Sequence, residues 1–331
     1  MECAMKSKTI FTLVLLFLSI RCSLIDPEEP GALVPPTVDQ DPLIPQMKIT
    51  VAGYTRSIHI QTFGTPNNPA LFILHGSASD YRPFLPLQIL ADKYFVVMWD
   101  QRGSGLSERI TKGEITWDAV VEEIDQIKTQ FSPDKPVTVI GHSFGGAYSA
   151  LYMSRRPQNV YQAVLAEPGP GLNRDIFDET SRDLIDINLT EEVLNDMLWH
   201  SEFLSAKDHE QMDYKYLMNH HSTIPKFYCD KKNLPPWPVW RVGAYLEHIR
   251  QQRLLEDKDY NFAAGLDEFP RKVLILGSEC SAIGYDFQVK YHQNLFKDAE
   301  VVLIKNSGHR LFTEQFDDVL QALYKYLEEY N

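Results

Sequence analysis

Val139-Ile140-Gly141-His142-Ser143-Phe144-Gly145-Gly146 decides how this chain is read. Ahead of it, Pro136-Val137-Thr138-Val139-Ile140 is an apolar run of strand length. Behind it, Gly146-Ala147-Tyr148-Ser149-Ala150-Leu151-Tyr152-Met153 reads as the start of a helix. The order strand, G-x-S-x-G, helix holds a serine on a sharp turn at the end of a strand, and the flanking glycines let strand and helix approach without side-chain clashes. On this reading Ser143 is a nucleophile. A serine hydroxyl attacks poorly by itself, so the reading requires a base, a carboxylate to orient that base, and N–H groups for a developing oxyanion.

Outward from this stretch, Ala70–Leu74, Tyr94–Trp99, Val137–Ile140, Ala163–Ala166, Lys272–Leu276 and Glu300–Ile304 are short, continuous apolar runs, as expected of strands buried on both faces. Met47–Val51 and Ser57–Thr62 alternate instead, around Gly53-Tyr54, and predict an antiparallel hairpin that opens the sheet. Helical patterns fall between the runs at Pro83–Ala91, Trp117–Phe131, Gly146–Arg155, Phe287–Phe296 and Leu311–Tyr330. Alternating strand and helix specifies an α/β fold: a mainly parallel sheet covered by helices on both faces, with ligands at the C-terminal strand ends. Residues 169–270 contain no buried-strand run. Thr190–Phe203, His209–Met218 and Val242–Leu255 read as helices there, so this stretch is an inserted helical lid, and 47–168 with 271–331 form the core.

The base is expected after the last strand, where Ile304-Lys305-Asn306-Ser307-Gly308-His309 supplies a histidine behind a turn glycine. His142, beside the serine, is read as packing or hydrogen-bonding under the turn. For the oxyanion, the N–H of Phe144 is one donor. The other is the N–H of Ser77, which follows His75-Gly76 at the end of the Ala70–Leu74 strand.

His75-Gly76, Gly141-His142-Ser143-Phe144-Gly145-Gly146, the insertion and Gly308-His309 together resemble the α/β-hydrolase superfamily, over roughly Met47 to Asn331. Asp100-Gln101-Arg102-Gly103-Ser104-Gly105-Leu106-Ser107 is similar to the D-Q-R-G-x-G-x-S signature of the proline iminopeptidase-like branch. It is read as structural: glycines for a tight loop, Asp100 and Arg102 for internal pairing. In that branch an Asp stands three residues after a glycine following the seventh strand. Here Gly277-Ser278-Glu279-Cys280 puts Cys280 in its place. Two carboxylates can substitute: Glu279, one position early, and Glu167, at the end of the Ala163 strand, which resembles the acid position of the haloalkane dehalogenase-like branch. The reading favours Glu167 and keeps Glu279 open.

The resemblance implies a serine hydrolase that cleaves a carboxylic ester or amide through an acyl-enzyme on Ser143, with no metal and no cofactor. Its alternatives are a proline iminopeptidase-like aminopeptidase and a ligand-binding protein with little turnover. The expected partner is accordingly a small ester or a short peptide. A peptidase also needs an acid in the lid for the substrate ammonium, with Glu191, Glu192, Glu202 and Glu247 as candidates. Trp199, Trp237 and Trp240 either line an apolar wall or simply pack.

The chain has 331 residues and a net charge of −13 without a basic block, which argues against nucleic acid as a partner. Lys6 and Lys8 precede an apolar run, Ile10–Ile20, sized for a signal segment over residues 1–22. Cys22 resembles a lipoprotein processing site, with Arg21 departing from that pattern, so export with a membrane tether or simple secretion is expected. Residues 23–46, with Pro27, Pro30, Pro35, Pro36, Pro42 and Pro45, read as an acidic tether without a core. Cys229 and Cys280 are expected as two unpaired thiols, although an oxidising compartment would permit a bridge.

Overall fold

The computed structural model describes residues 36–77, 79–169, 171–184, 209, 213, 227–230 and 241–329. Eight strands form one sheet in the order β1-β2-β4-β3-β5-β6-β7-β8, with β1 Gln46–Val51, β2 Tyr54–Phe63, β3 Ala70–Leu74, β4 Phe95–Trp99, β5 Val137–His142, β6 Val160–Ala166, β7 Val273–Ser278 and β8 Ala299–Ile304. The β1–β2 and β2–β4 pairs are antiparallel, and the rest run parallel. The hairpin closes through Ala52-Gly53, both at positive φ, the two-residue turn whose twist suits a hairpin.

Every residue of β3 and β4 is buried, and alternate residues serve opposite faces. Phe72, Leu74, Val97 and Trp99 join one core beneath helices α1 (Trp117–Phe131) and α2 (Phe144–Arg155). Leu71, Ile73, Val96 and Met98 join the other, with residues of the 3₁₀ stretch Arg82–Asp92 and of the C-terminal helix Phe316–Glu329. Each such side chain contributes about 1.5–3 kcal/mol by leaving water, which explains the continuous apolar runs. The helix α1 starts at Thr116, whose Oγ1 accepts from the Ala119 N–H at 3.0 Å.

Strand β3 lies between β4 and β5, so the chain turns one way after β3 and the other way after β5. The crevice at that switch point is where sheets of this kind bind ligands, and both His75–Ser77 and Ser143 sit at its edge.

Part of the supposed tether belongs to the core. Val38 is buried, its N–H donates to Leu106 O at 2.9 Å, and Gln46 Nε2 donates to Val38 O at 3.0 Å, while Gln46 itself begins β1. Thr37 is buried beside Val38 and Pro45 O accepts the Ile60 N–H at 3.1 Å, so burial and backbone bonds seat a proline-rich segment. The expected helix Leu311–Tyr330 is broken at Gln315 into Leu311–Glu314 and Phe316–Glu329. The break lets Glu314 fold back, where its carboxylate accepts from the N–H groups of Gly308 (2.9 Å) and Arg310 (3.2 Å) on either side of His309.

Of the insertion, α3 (Arg174–Leu184) and α4 (Ala244–Glu256) are described, α4 close to its expected span. The helices expected at Thr190–Phe203 and over most of His209–Met218, the three tryptophans and residues 1–35 lie outside the described residues. The two thiols expected to stand apart are joined: Cys229 and Cys280 form a disulfide with Cα atoms 5.0 Å apart. The insertion returns over the core at this point, a contact that no spacing in the sequence reveals.

Candidate active site

Ser143 sits between β5 and α2 at φ +54°, ψ −123°. L-residues avoid this backbone region at a cost of roughly 1–3 kcal/mol, so the surroundings must hold it. They do so through close backbone packing. A Cβ on Gly76 would lie 2.8 Å from Ser143 Cβ, and one on Gly145 would meet the carbonyl oxygens of Leu74 and His75. The Ser143 N–H donates to Ala166 O at 2.9 Å, tying the turn to the end of β6. Ser143 is half-buried, presented rather than enclosed.

Phe144 opens α2, so its N–H belongs to the first turn, whose donors have no acceptor within the helix and lie at the positive end of its dipole. Ser77, also half-buried, follows Gly76 across the same gap. The strand end carrying it is pinned at His75: Gln101 donates its N–H to His75 Nε2 at 3.0 Å and its Nε2–H to His75 O at 2.6 Å, and His75 Nδ1–H donates to Gly76 O at 2.8 Å. From α4, buried Arg250 donates to Gln101 Oε1 and lies 4.9 Å from the Tyr148 ring.

The D-Q-R-G loop behaves as read. Asp100 is fully buried and accepts from the N–H groups of Tyr81 (2.9 Å) and Leu106 (2.8 Å), with His59 Nδ1 at 2.9 Å. Arg102 Nε donates to Glu123 Oε2 at 2.8 Å.

His309 is held from three sides. Its N–H donates to Phe227 O at 2.8 Å, its carbonyl accepts from His142 Nε2–H at 2.7 Å, and its Nδ1 lies 2.5 Å from Glu167 Oε2. The His142 and His309 rings are 4.7 Å apart, which sets His309 beside the Ser143 turn. Glu167 is fully buried at φ +45°, with its N–H on Leu276 O. Its Oε1 accepts from the Ser278 N–H at 2.7 Å and from the Ser278 hydroxyl. With Oε1 occupied by Ser278, Oε2 is the acceptor left facing His309 Nδ1. Nδ1 of His309 therefore carries the proton, and Nε2 is left as the basic nitrogen.

Glu279 is exposed and does not reach the His309 ring. Its Oε2 accepts from the Asn306 N–H at 2.8 Å, capping the turn ahead of Gly308. Ser278 and Glu314 were missed by sequence reasoning. Ser278 meets Glu167 across 111 residues of sequence, which no spacing marks, whereas Glu314 caps a turn only four to six residues before it.

Burial holds several histidines neutral. Burial first, and then the neighbouring His309, keeps His142 well below the ordinary value of 6.5. Burial likewise lowers His75 to about 4 and His292 to about 3. Below pH 6.5 the unfolded chain protonates these rings while the folded chain does not, so unfolding takes up protons and stability falls with pH. Between pH 7 and pH 5 we expect a loss on the order of 2 kcal/mol from His75 alone. It should appear as a lower urea midpoint at unchanged m, and a flat midpoint across that window would contradict it.

Residues 69–315 match the family model described as alpha/beta hydrolase fold. The chain belongs to this family and is a hydrolase. Proline iminopeptidase PfmaB of Pestalotiopsis fici is 23% identical over 282 residues, covering 80% of this chain and 94% of its own. A proline iminopeptidase of Saccharolobus solfataricus is 22% identical over 281 residues, covering 80% and 86%. Among solved structures, a thermophilic esterase from Thermogutta terrifontis superposes with a TM-score of 0.58 at 18% identity, over 86% of this chain and 98% of its own.

Proposed function

We propose that this chain is a serine hydrolase that cleaves a small carboxylic ester or amide through an acyl-enzyme on Ser143. The observation that carries the reading is the His309–Glu167 pair set beside a serine in a strained turn. His309 Nε2 takes the proton of Ser143 Oγ as that oxygen attacks the carbonyl carbon. The Phe144 and Ser77 N–H groups hold the oxyanion, and Glu167 steadies the imidazolium. His309 then gives its proton to the leaving group, and water, deprotonated by the same nitrogen, releases the acid.

A second reading makes the substrate an N-terminal proline peptide. The two iminopeptidase relatives, aligned over 80% of the chain, and the Asp100–Ser107 loop favour it. Of the lid acids named for a substrate ammonium, Glu247 on α4 is described and half-buried. Glu191, Glu192 and Glu202 lie outside the described residues. Export, with or without a lipid on Cys22, is proposed as well, supported by a disulfide of the kind that persists in oxidising compartments.

The test is covalent labelling by a fluorophosphonate, located by peptide mass spectrometry, with Ser143→Ala as blank. Label on Ser143 supports the reading. Folded protein that takes no label would favour a binding protein on the same fold. Turnover of prolyl p-nitroanilide against p-nitrophenyl butyrate then chooses between peptidase and esterase.

A further inference from the structure

We infer that the Cys229–Cys280 disulfide positions His309, so that the site works at full rate only in the oxidised chain; this rests on the serine hydrolase reading above. The bond joins residues 51 apart in sequence, one in the returning insertion and one in the loop after β7. Both sides of the bridge touch the His309 loop through the backbone. On one side, the Cys280 N–H donates to Ser307 O at 3.0 Å. On the other, Phe227 O accepts the His309 N–H at 2.8 Å.

Between these two bonds the packing leaves no slack. A Cβ on Gly308 would meet Phe227 O and lie 2.8 Å from Tyr228 Cα, so Gly308 lies flat against the Phe227–Tyr228 backbone. Tyr228 is buried, with the Arg310 guanidinium 5.2 Å from its ring, and the Phe227 ring is 5.6 Å from that of His309. Ser307, Gly308, His309 and Arg310 thus each rest on one side of the bridge or the other.

The remaining holds on His309 come from Glu167, His142 and Glu314, and they fix its ring nitrogen, its carbonyl and the flanking amides. Among the described residues, only Phe227 fixes its N–H. Cys280 stands where the resembled branch carries its acid. With the carboxylate supplied by Glu167 instead, position 280 is free to anchor the segment that braces the base.

Reduction by a dithiol transfers two electrons: one thiolate attacks the Cys229–Cys280 bond, the second closes on the first sulfur, and two cysteine thiols and a cyclic disulfide result. The Phe227 segment then keeps its place by non-covalent contacts alone. A displacement of about 1 Å in a catalytic group costs up to about 10²-fold in rate.

The experiment compares the folded full-length chain before and after dithiol treatment. Alkylation of Cys229 and Cys280 is read by peptide mass, and global folding by circular dichroism. Reduction is expected to lower kcat and the rate of fluorophosphonate labelling about 10- to 100-fold, with KM little changed, and to speed amide exchange at His309. Reoxidation should restore the rate. A C229S/C280S variant should start at the lower rate and ignore the dithiol. Should that variant fail to fold, in-place reduction of the native protein still decides. An unchanged rate in protein whose two cysteines are both alkylated overturns the inference, as does a loss that only tracks global melting.

If the oxidised chain takes no label at all, the serine hydrolase reading fails by itself. Amide exchange then judges the bracing: faster exchange at His309 on reduction supports it, and unchanged exchange overturns it.

Discussion

Glu167→Gln is expected to lower kcat by about 10⁴-fold, the size of loss that follows when a triad carboxylate becomes an amide. The substitution keeps shape and volume, removes the charge and exchanges one acceptor oxygen for an NH₂ donor. An amide in that place can present its NH₂ group to His309 Nδ1, which would reverse the tautomer and leave Nε2 protonated, unable to take the serine proton. Glu167 is enclosed by its partners, with Ser278 on Oε1 and His309 on Oε2. A stability loss of about 1–3 kcal/mol should therefore accompany the rate loss. Glu279→Gln is the matched control: its carboxylate is exposed and caps a turn at Asn306, so kcat should stay within about twofold, as for surface changes generally. Burst and steady-state kinetics on one p-nitrophenyl ester measure both. Equal losses in the two variants, or none in either, would remove Glu167 from the acid's role.

Gly145→Ala should be among the most damaging single substitutions in the chain, with a stability loss of at least about 3 kcal/mol. Its new methyl would meet the Leu74 carbonyl oxygen and lie 2.6 Å from that of His75. Both are backbone atoms at the end of a buried strand, so no flexible side chain can yield. Relief requires β3 and α2 to separate, which also parts the N–H groups of Ser77 and Phe144. Gly265 supplies the comparison, because a Cβ there meets nothing within 4 Å, although its φ is +78°. Gly265→Ala should therefore cost only the left-handed backbone penalty of about 1–2 kcal/mol. Urea midpoints at constant m read both, and a Gly145→Ala variant no weaker than Gly265→Ala would refute the close approach.

The sheet was legible because its central strands β3 to β7 are apolar on both faces and glycines mark the turns between strand and site, although β8, read as equally buried, is an edge strand with only Ile304 buried. Ser143 and His309 could be placed from that alone, and so could the candidate oxyanion donors. The choice between Glu167 and Glu279 was not legible, since it depends on β6 lying beside β7 with Ala166 level with Leu276, which brings Ser278 to the Glu167 carboxylate. That register is a property of two strands over a hundred residues apart. The Cys229–Cys280 bond was hidden for the same reason, as was the seating of Val38 among prolines that look like a free tether. The break at Gln315 was masked by a helical pattern that continues through it. What accompanies it, the Glu314 carboxylate on the Gly308 and Arg310 N–H groups, is a contact of the folded chain.

Glu167 is followed at once by Pro168 and Gly169, where the chain leaves the sheet. The carboxylate thus stands within two residues of the end of the core, just ahead of the insertion. A crossover placed ahead of residue 167 would carry the acid away with the foreign segment, while one placed after it leaves the acid behind on β6. A graft that replaces the insertion and keeps Glu167 must therefore join after residue 167, at a seam only a couple of residues wide. Any engineer grafting a new cover onto this sheet faces the same seam.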